Sequence, residues 1–260
     1  MPLFPRPLSW FGDGPIAFSC RRTTTHSLCT IICITPVLHL PDPPIPQSAM
    51  SDSPFDIISS RKLVPVIALA DAAHANPLAE ALVAGGLPIA EVTFRTAAAE
   101  AVIRAMAARG DLLVGAGTVL SIEQVDQARD AGARFVVTPG FDPKVVRRCL
   151  DLNLPVCPGI CTPTDISMAI DHGLSLVKFF PAEAMGGVKT LKAISAPFSM
   201  MRFVPTGGIG PTNLSDYLAL PQVAACGGSW MVKPTLYADG DFQAVEQATR
   251  KAVALAENDV

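Results

Sequence analysis

From residue 62 onward the chain alternates: short apolar runs and alanine-rich helical windows follow one another eight times. The runs fall at 64–69, 89–94, 112–116, 135–138, 154–157, 176–180, 201–205 and 223–226. The windows fall at 74–84, 97–109, 121–131, 142–151, 162–171, 187–195, 211–220 and 241–256. Strands separated by helices of this length are joined by crossovers, so they lie parallel with the helices on the outside. Eight such units predict a closed (β/α)8 TIM barrel of α/β class, a single domain, in preference to an open doubly wound sheet. The absence of Gly-x-Gly-x-x-Gly after the first run points the same way. Helix starts are signalled by Ser121, Thr162-Pro163 and Pro211-Thr212-Asn213, and stops by the glycines in 84–86 and 130–132.

Residues 1–50 do not share this rhythm. They are proline-rich, with no countable period, and are expected to form a disordered extension ahead of a barrel spanning 51–260, whose functional start lies near Met50. The alternative is a targeting segment, since Arg21-Arg22 precedes an apolar run at 29–40. That run is too short to span a bilayer and is broken by Pro36.

A net charge of −3 with 17% charged residues gives no basic surface for nucleic acid or anionic membrane, so neither is an expected partner. Seven cysteines without Cys-x-x-Cys, in a chain too large to need staples, read as reduced thiols of a cytoplasmic protein. The four histidines are scattered, and no His/Cys/carboxylate group has metal-ligand spacing, so no metal is expected.

A barrel of this kind carries its chemistry at the C-terminal ends of the strands. The sixth run delivers Lys178, a cation inside an otherwise apolar strand. By itself it reads as a packed stem with its head in water; the sharper reading is an amine nucleophile for carbonyl substrates. In the second run the two-residue period sets Glu91, Thr93 and Arg95 on one face, opposite Ala90, Val92 and Phe94. The polar set is expected to point into the barrel, either as a self-satisfied ion pair or as machinery. Thr118 ends the third run, Pro139 the fourth, and Phe180 follows Lys178. Glycine-rich turns end the seventh run (Thr206, Gly207, Gly208) and the eighth (Gly228, Ser229). Paired there, they predict a phosphate cradle of backbone N–H groups near a helix N-terminus.

Taken in order, the stretches 91–96 (EVTFRT), 115–120 (GAGTVL), 178–183 (KFFPAE), 205–209 (PTGGI) and 227–230 (GGSW) closely resemble the class I 2-keto-3-deoxy-6-phosphogluconate (KDPG) aldolases, and best the bifunctional form that also takes 4-hydroxy-2-oxoglutarate. The resemblance runs from about residue 63 to the C-terminus. It implies a homotrimer of barrels acting on a small phosphorylated keto acid without a cofactor, by a Schiff base on Lys178 with Glu91 as acid/base. It further implies that Arg95 and Thr118 hold the pyruvate carboxylate, that Pro139 and Phe180 line the pocket, and that Thr206, Gly207, Gly208, Gly228 and Ser229 hold the phosphate. Three rivals stand beside it: another phosphate-binding barrel such as a thiamine-phosphate synthase or phosphosugar epimerase, a metal-dependent aldolase, and a non-catalytic phosphosugar sensor.

Overall fold

The structure, a computed structural model, describes residues 53–257. The expectations for 1–50 lie outside the described residues.

The first described element, α1 (Pro54–Arg61), has no counterpart in the sequence reading. Its local signals are nevertheless complete. Ser53 caps the Phe55 N–H, Pro54 opens the first turn, and Lys62 leaves the helix in the left-handed region at φ 59°. Ile58 is buried, and Phe55 meets Phe135 edge-on at 6.3 Å. With Val64, Leu176 and Val204 these residues line one small space, so α1 covers the N-terminal ends of the strands.

The alternation then follows the sequence reading. The elements are β1 (Leu63–Ile67), α2 (Ala75–Ala84), β2 (Ile89–Thr93), α3 (Ala99–Ala107), β3 (Leu113–Gly117), α4 (Ile122–Asp130), β4 (Phe135–Val137), α5 (Pro143–Asp151), β5 (Val156–Cys157) and β6 (Gly159–Ile160). After these come α6 (Pro163–Asp171), β7 (Leu176–Phe179), α7 (Gly187–Ser195), β8 (Arg202–Phe203), α8 (Leu214–Leu218), β9 (Cys226–Gly228) and α9 (Gln243–Glu257). Ser121, Asp142 and Thr162 cap α4, α5 and α6, the last in a full capping box.

Two expectations need correction. The fifth run holds only the short strand β5, and a further strand, β6, follows it beyond Pro158, which has no N–H to donate to a ladder. At that residue the chain changes partners: Cys157 pairs with Val137 on β4, and Gly159 pairs with Lys178 on β7. The window 211–220 forms only the five-residue α8. The Asn213 side chain accepts from the Gly210 N–H and donates to the Gly208 carbonyl, tying up the turn where the helix was expected to begin.

Every strand pairing is parallel. One sheet runs β5-β4-β3-β2-β1-β9 and a second β6-β7-β8, with parallel bridges Phe203 to Val223 and Thr206 to Gly227 beside β8 and β9. The result is a curled parallel sheet wrapped by helices, an α/β architecture of TIM-barrel type. Its helix-facing side is packed by Val92, Val102, Ile103, Met106 and their neighbours, all fully buried. Each such side chain contributes about 1.5–3 kcal/mol relative to exposure. No helix of the described residues is long and apolar enough to cross a membrane.

Candidate active site

The second strand behaves as its two-residue period requires. Glu91 and Thr93 are buried at 3% and 1% exposure, on the face opposite Val92. Glu91 Oε1 accepts from Lys178 Nζ, on β7, at 3.3 Å. Lys178 is itself 5% exposed, so both charges are withdrawn from water and each is the other's compensation. The Nζ also lies 5.2 Å from the centroid of the Phe180 ring, within cation–π range.

Gly117 makes this meeting possible. A Cβ there would overlap the Glu91 carboxylate, so the second glycine of the Gly115-Ala116-Gly117 stretch is the space into which Glu91 folds.

Arg95 departs from its expected position. β2 ends at Thr93, and Arg95 sits in the following turn, exposed at the mouth rather than inside the ring. It is tethered there: its Nε donates to Thr93 Oγ1 at 3.1 Å, and that hydroxyl donates to the Ile67 carbonyl at 2.7 Å. From this place Arg95 borders a cavity of about 140 Å³, whose wall also holds Phe180, Thr206, Gly207, Gly208, Gly228 and Ser229. Val66, Ile209 and Gly227 complete it; the sequence reading gave these three no role.

Gly207 and Gly208 have φ of 102° and 81°, a region side chains rarely adopt. Among the described residues the N–H groups of Gly207, Gly208 and Ser229 have no hydrogen-bond acceptor. With α8 starting only at Leu214, the free N–H groups of Gly207 and Gly208 belong to the loop itself and not to the first turn of an α-helix.

Lys178 and Glu91 flank a second, nearly filled space of about 10 Å³ beneath this cavity, shared with Val137, Cys157 and Leu176. Thr118 and Pro139 border neither space. Thr118 ends β3 in the left-handed region at φ 55°, and Pro139 follows β4 with its carbonyl packed against Gly159. Of the eleven expected site residues, seven line the cavity, Lys178 and Glu91 line the inner space, and Thr118 and Pro139 line neither. Among the described residues no group of His, Cys, Asp and Glu could hold a metal ion.

Cys157 sits against the pair, and burial pushes its thiol up to about 12, with smaller opposing influences from Lys178 (downward) and Glu91 (upward). Burial likewise raises Cys149 to about 12. Because the thiolate is the reactive form, iodoacetamide at neutral pH is expected to leave both unmodified in the native protein, as peptide mapping would read. The sign for stability follows from the same shift. The unfolded chain sheds these protons near the ordinary thiol value of 9.0 while the folded chain keeps them, so stability falls as pH rises above that value.

This geometry can be set beside known proteins. The model of the aldolase family described as KDPG and KHG aldolase matches residues 55–248, which hold every element from β1 to β9. The chain belongs to this family. The 2-dehydro-3-deoxy-phosphogluconate aldolase of Haemophilus influenzae is 49% identical over 193 residues, covering 74% of this chain and 91% of that one. The KHG/KDPG aldolase of Escherichia coli K12 is 45% identical, covering 76% and 93%. Among solved structures, the KDPG aldolase of Legionella pneumophila, with pyruvate captured at low pH as a covalent carbinolamine intermediate, superposes with a TM-score of 0.74. It is 35% identical and covers 77% of this chain and 98% of that one. As a KDPG/KHG aldolase family member, the chain carries its buried lysine–carboxylate pair and its glycine loops within the matched span.

Proposed function

We propose that this chain is a Schiff-base aldolase that cleaves 2-dehydro-3-deoxy-6-phosphogluconate to pyruvate and glyceraldehyde 3-phosphate, and 4-hydroxy-2-oxoglutarate to pyruvate and glyoxylate. The observation that carries this reading is the buried Lys178–Glu91 pair at 3.3 Å, beneath a cavity that has a guanidinium on one side and two glycine loops on the other.

The chemistry follows from those positions. Transfer of one Nζ proton to Glu91 frees the Lys178 amine, which attacks the C2 ketone to give a carbinolamine. Glu91 returns the proton to the departing hydroxyl, water leaves, and a cationic iminium remains. Glu91, again a carboxylate, takes the C4 hydroxyl proton, directly or through a water. The C3–C4 bond then breaks, its electrons flow into the iminium, and the aldehyde departs. Reprotonation of the enamine at C3 and hydrolysis release pyruvate and the free lysine. Arg95, free of any carboxylate partner among the described residues, holds the substrate carboxylate together with Thr118, and Pro139 lines the pocket beside them. Phe180 shapes the pocket floor, and Thr206, Gly207, Gly208, Gly228 and Ser229 take the phosphate through loop donors.

We read the curled sheet as a full (β/α)8 barrel, the stretch 51–260 as one catalytic unit and three chains as the assembly; free cysteines among the described residues support a cytoplasmic setting. Sedimentation of the purified protein checks the trimer. Coupled detection of pyruvate from each keto acid tests the activity, and dialysis against EDTA is expected to leave it unchanged.

Gly117→Ala tests the fit around Glu91. Overpacking of this kind costs about 1–3 kcal/mol, so the fold should survive while kcat falls because the carboxylate is displaced. Unchanged kcat in a variant with native circular dichroism would detach Gly117 from the mechanism.

A further inference from the structure

The family-like motif 178–183 ends in Glu183, which the mechanism above does not use and which does not border the cavity. Its surroundings are built nonetheless. The Ala182 and Glu183 N–H groups donate to the Thr206 and Gly207 carbonyls at 2.8 and 3.0 Å, so the turn after β7 holds the loop after β8 by its backbone. The N–H groups of Gly207 and Gly208 in that loop have no acceptor among the described residues. The Glu183 side chain then runs beneath Gly208, where an added Cβ would stand 2.6 Å from Glu183 Cγ. Its carboxylate accepts from the hydroxyl of Tyr217, a fully buried residue on α8. Burial first, and Glu183 as acceptor second, hold the Tyr217 phenol above its ordinary value, so it stays a donor. A carboxylate near an anion site repels the anion less when it is held back behind the loop than when it can swing toward the anion.

We infer that Glu183 and Tyr217 are positioning residues for the phosphate end of the substrate: Tyr217 anchors the Glu183 carboxylate behind the loop, and the anchored side chain sets the Gly207-Gly208 donors. The inference rests on the phosphate reading of that cavity. Losing the hydroxyl frees a negative charge next to the loop and unpins the side chain under Gly208, while the Lys178–Glu91 pair is untouched.

The test compares KM and kcat of wild type, Tyr217→Phe, Glu183→Ala and Glu183→Gln on the phosphorylated keto acid and on 4-hydroxy-2-oxoglutarate. Inorganic phosphate serves as a competing probe. Tyr217→Phe and Glu183→Ala should raise KM for the phosphorylated substrate and weaken phosphate inhibition roughly tenfold, the size of one charge-assisted hydrogen bond. Their kcat, and both constants for the unphosphorylated acid, should move less than about twofold, within ordinary surface effects. Glu183→Gln keeps an acceptor without the charge and should restore KM. Equal losses on both substrates would make the pair merely structural and overturn the inference, as would unchanged constants or failure of Glu183→Gln to rescue. If inorganic phosphate does not compete in wild type, the phosphate reading falls, and the inference with it. Competition in wild type that persists undiminished in Tyr217→Phe overturns the inference alone.

Discussion

Borohydride added to the protein in the presence of pyruvate should fix one reduced adduct, on the peptide that carries Lys178, and Lys178→Arg should abolish both adduct and turnover. The argument is chemical. Only a primary amine that can shed a proton forms the iminium, and a guanidinium retains its proton at every working pH. Arginine nevertheless preserves a cation opposite Glu91, so the buried carboxylate is not left without a partner. Lys178→Ala does leave it so, at a cost of about 3–5 kcal/mol, and its inactivity would be open to the trivial explanation of unfolding. For this reason the arginine variant carries the test, with circular dichroism beside it. Loss of a nucleophile that acts as one unit with its base lowers turnover by about five to six orders of magnitude. Measurable aldol cleavage by a folded Lys178→Arg protein, or an adduct on a different residue, would end the Schiff-base reading. A phosphate-binding synthase, epimerase or sensor would give no adduct at all.

How much of this was visible before the fold was known depends on whether the signal was local. Helix starts written in a few adjacent residues, such as Thr162-Pro163, were legible because capping is a contact between near neighbours. The inward face of β2 was legible from a two-residue period. The place of Arg95 was not, because the period holds only while the strand lasts, and the strand ends at Thr93, whose hydroxyl donates to the Ile67 carbonyl and accepts from Arg95. The split at Pro158 followed from proline chemistry, but its effect, a change of partner strand, is set by residues twenty positions away on either side. Gly117 is the clearest case. In the sequence it is a flexible turn residue, and only the fold reveals that the absent side chain is replaced by Glu91. The lysine and the carboxylate themselves stand 87 residues apart and meet only because the second and sixth units face each other across the ring.

That meeting yields the second large effect. Glu91→Gln is expected to lower turnover by about two to four orders of magnitude on either keto acid, the range for a positioned acid/base. The amide keeps the shape and can still accept from Lys178 Nζ, so substrate binding, and with it KM, should change little. What it cannot do is take a proton, neither from the amine before attack nor from the C4 hydroxyl at cleavage. Trapping with pyruvate should therefore still label Lys178 in Glu91→Gln, but more slowly, which separates this variant from Lys178→Arg, where labelling disappears. A structural explanation can be weighed by size. Replacing a charged acceptor with a neutral one costs about 1.5–3 kcal/mol, which in a domain of this length lowers Tm by only some ~5–10 °C. Circular dichroism at 25 °C decides between the two, because a variant that keeps the native spectrum has not lost a hundredfold in rate through unfolding. If Glu91→Gln turned over substrate within a few-fold of wild type, Glu91 would be only the counter-ion of Lys178, and the proton steps would have to pass through water admitted from the cavity above.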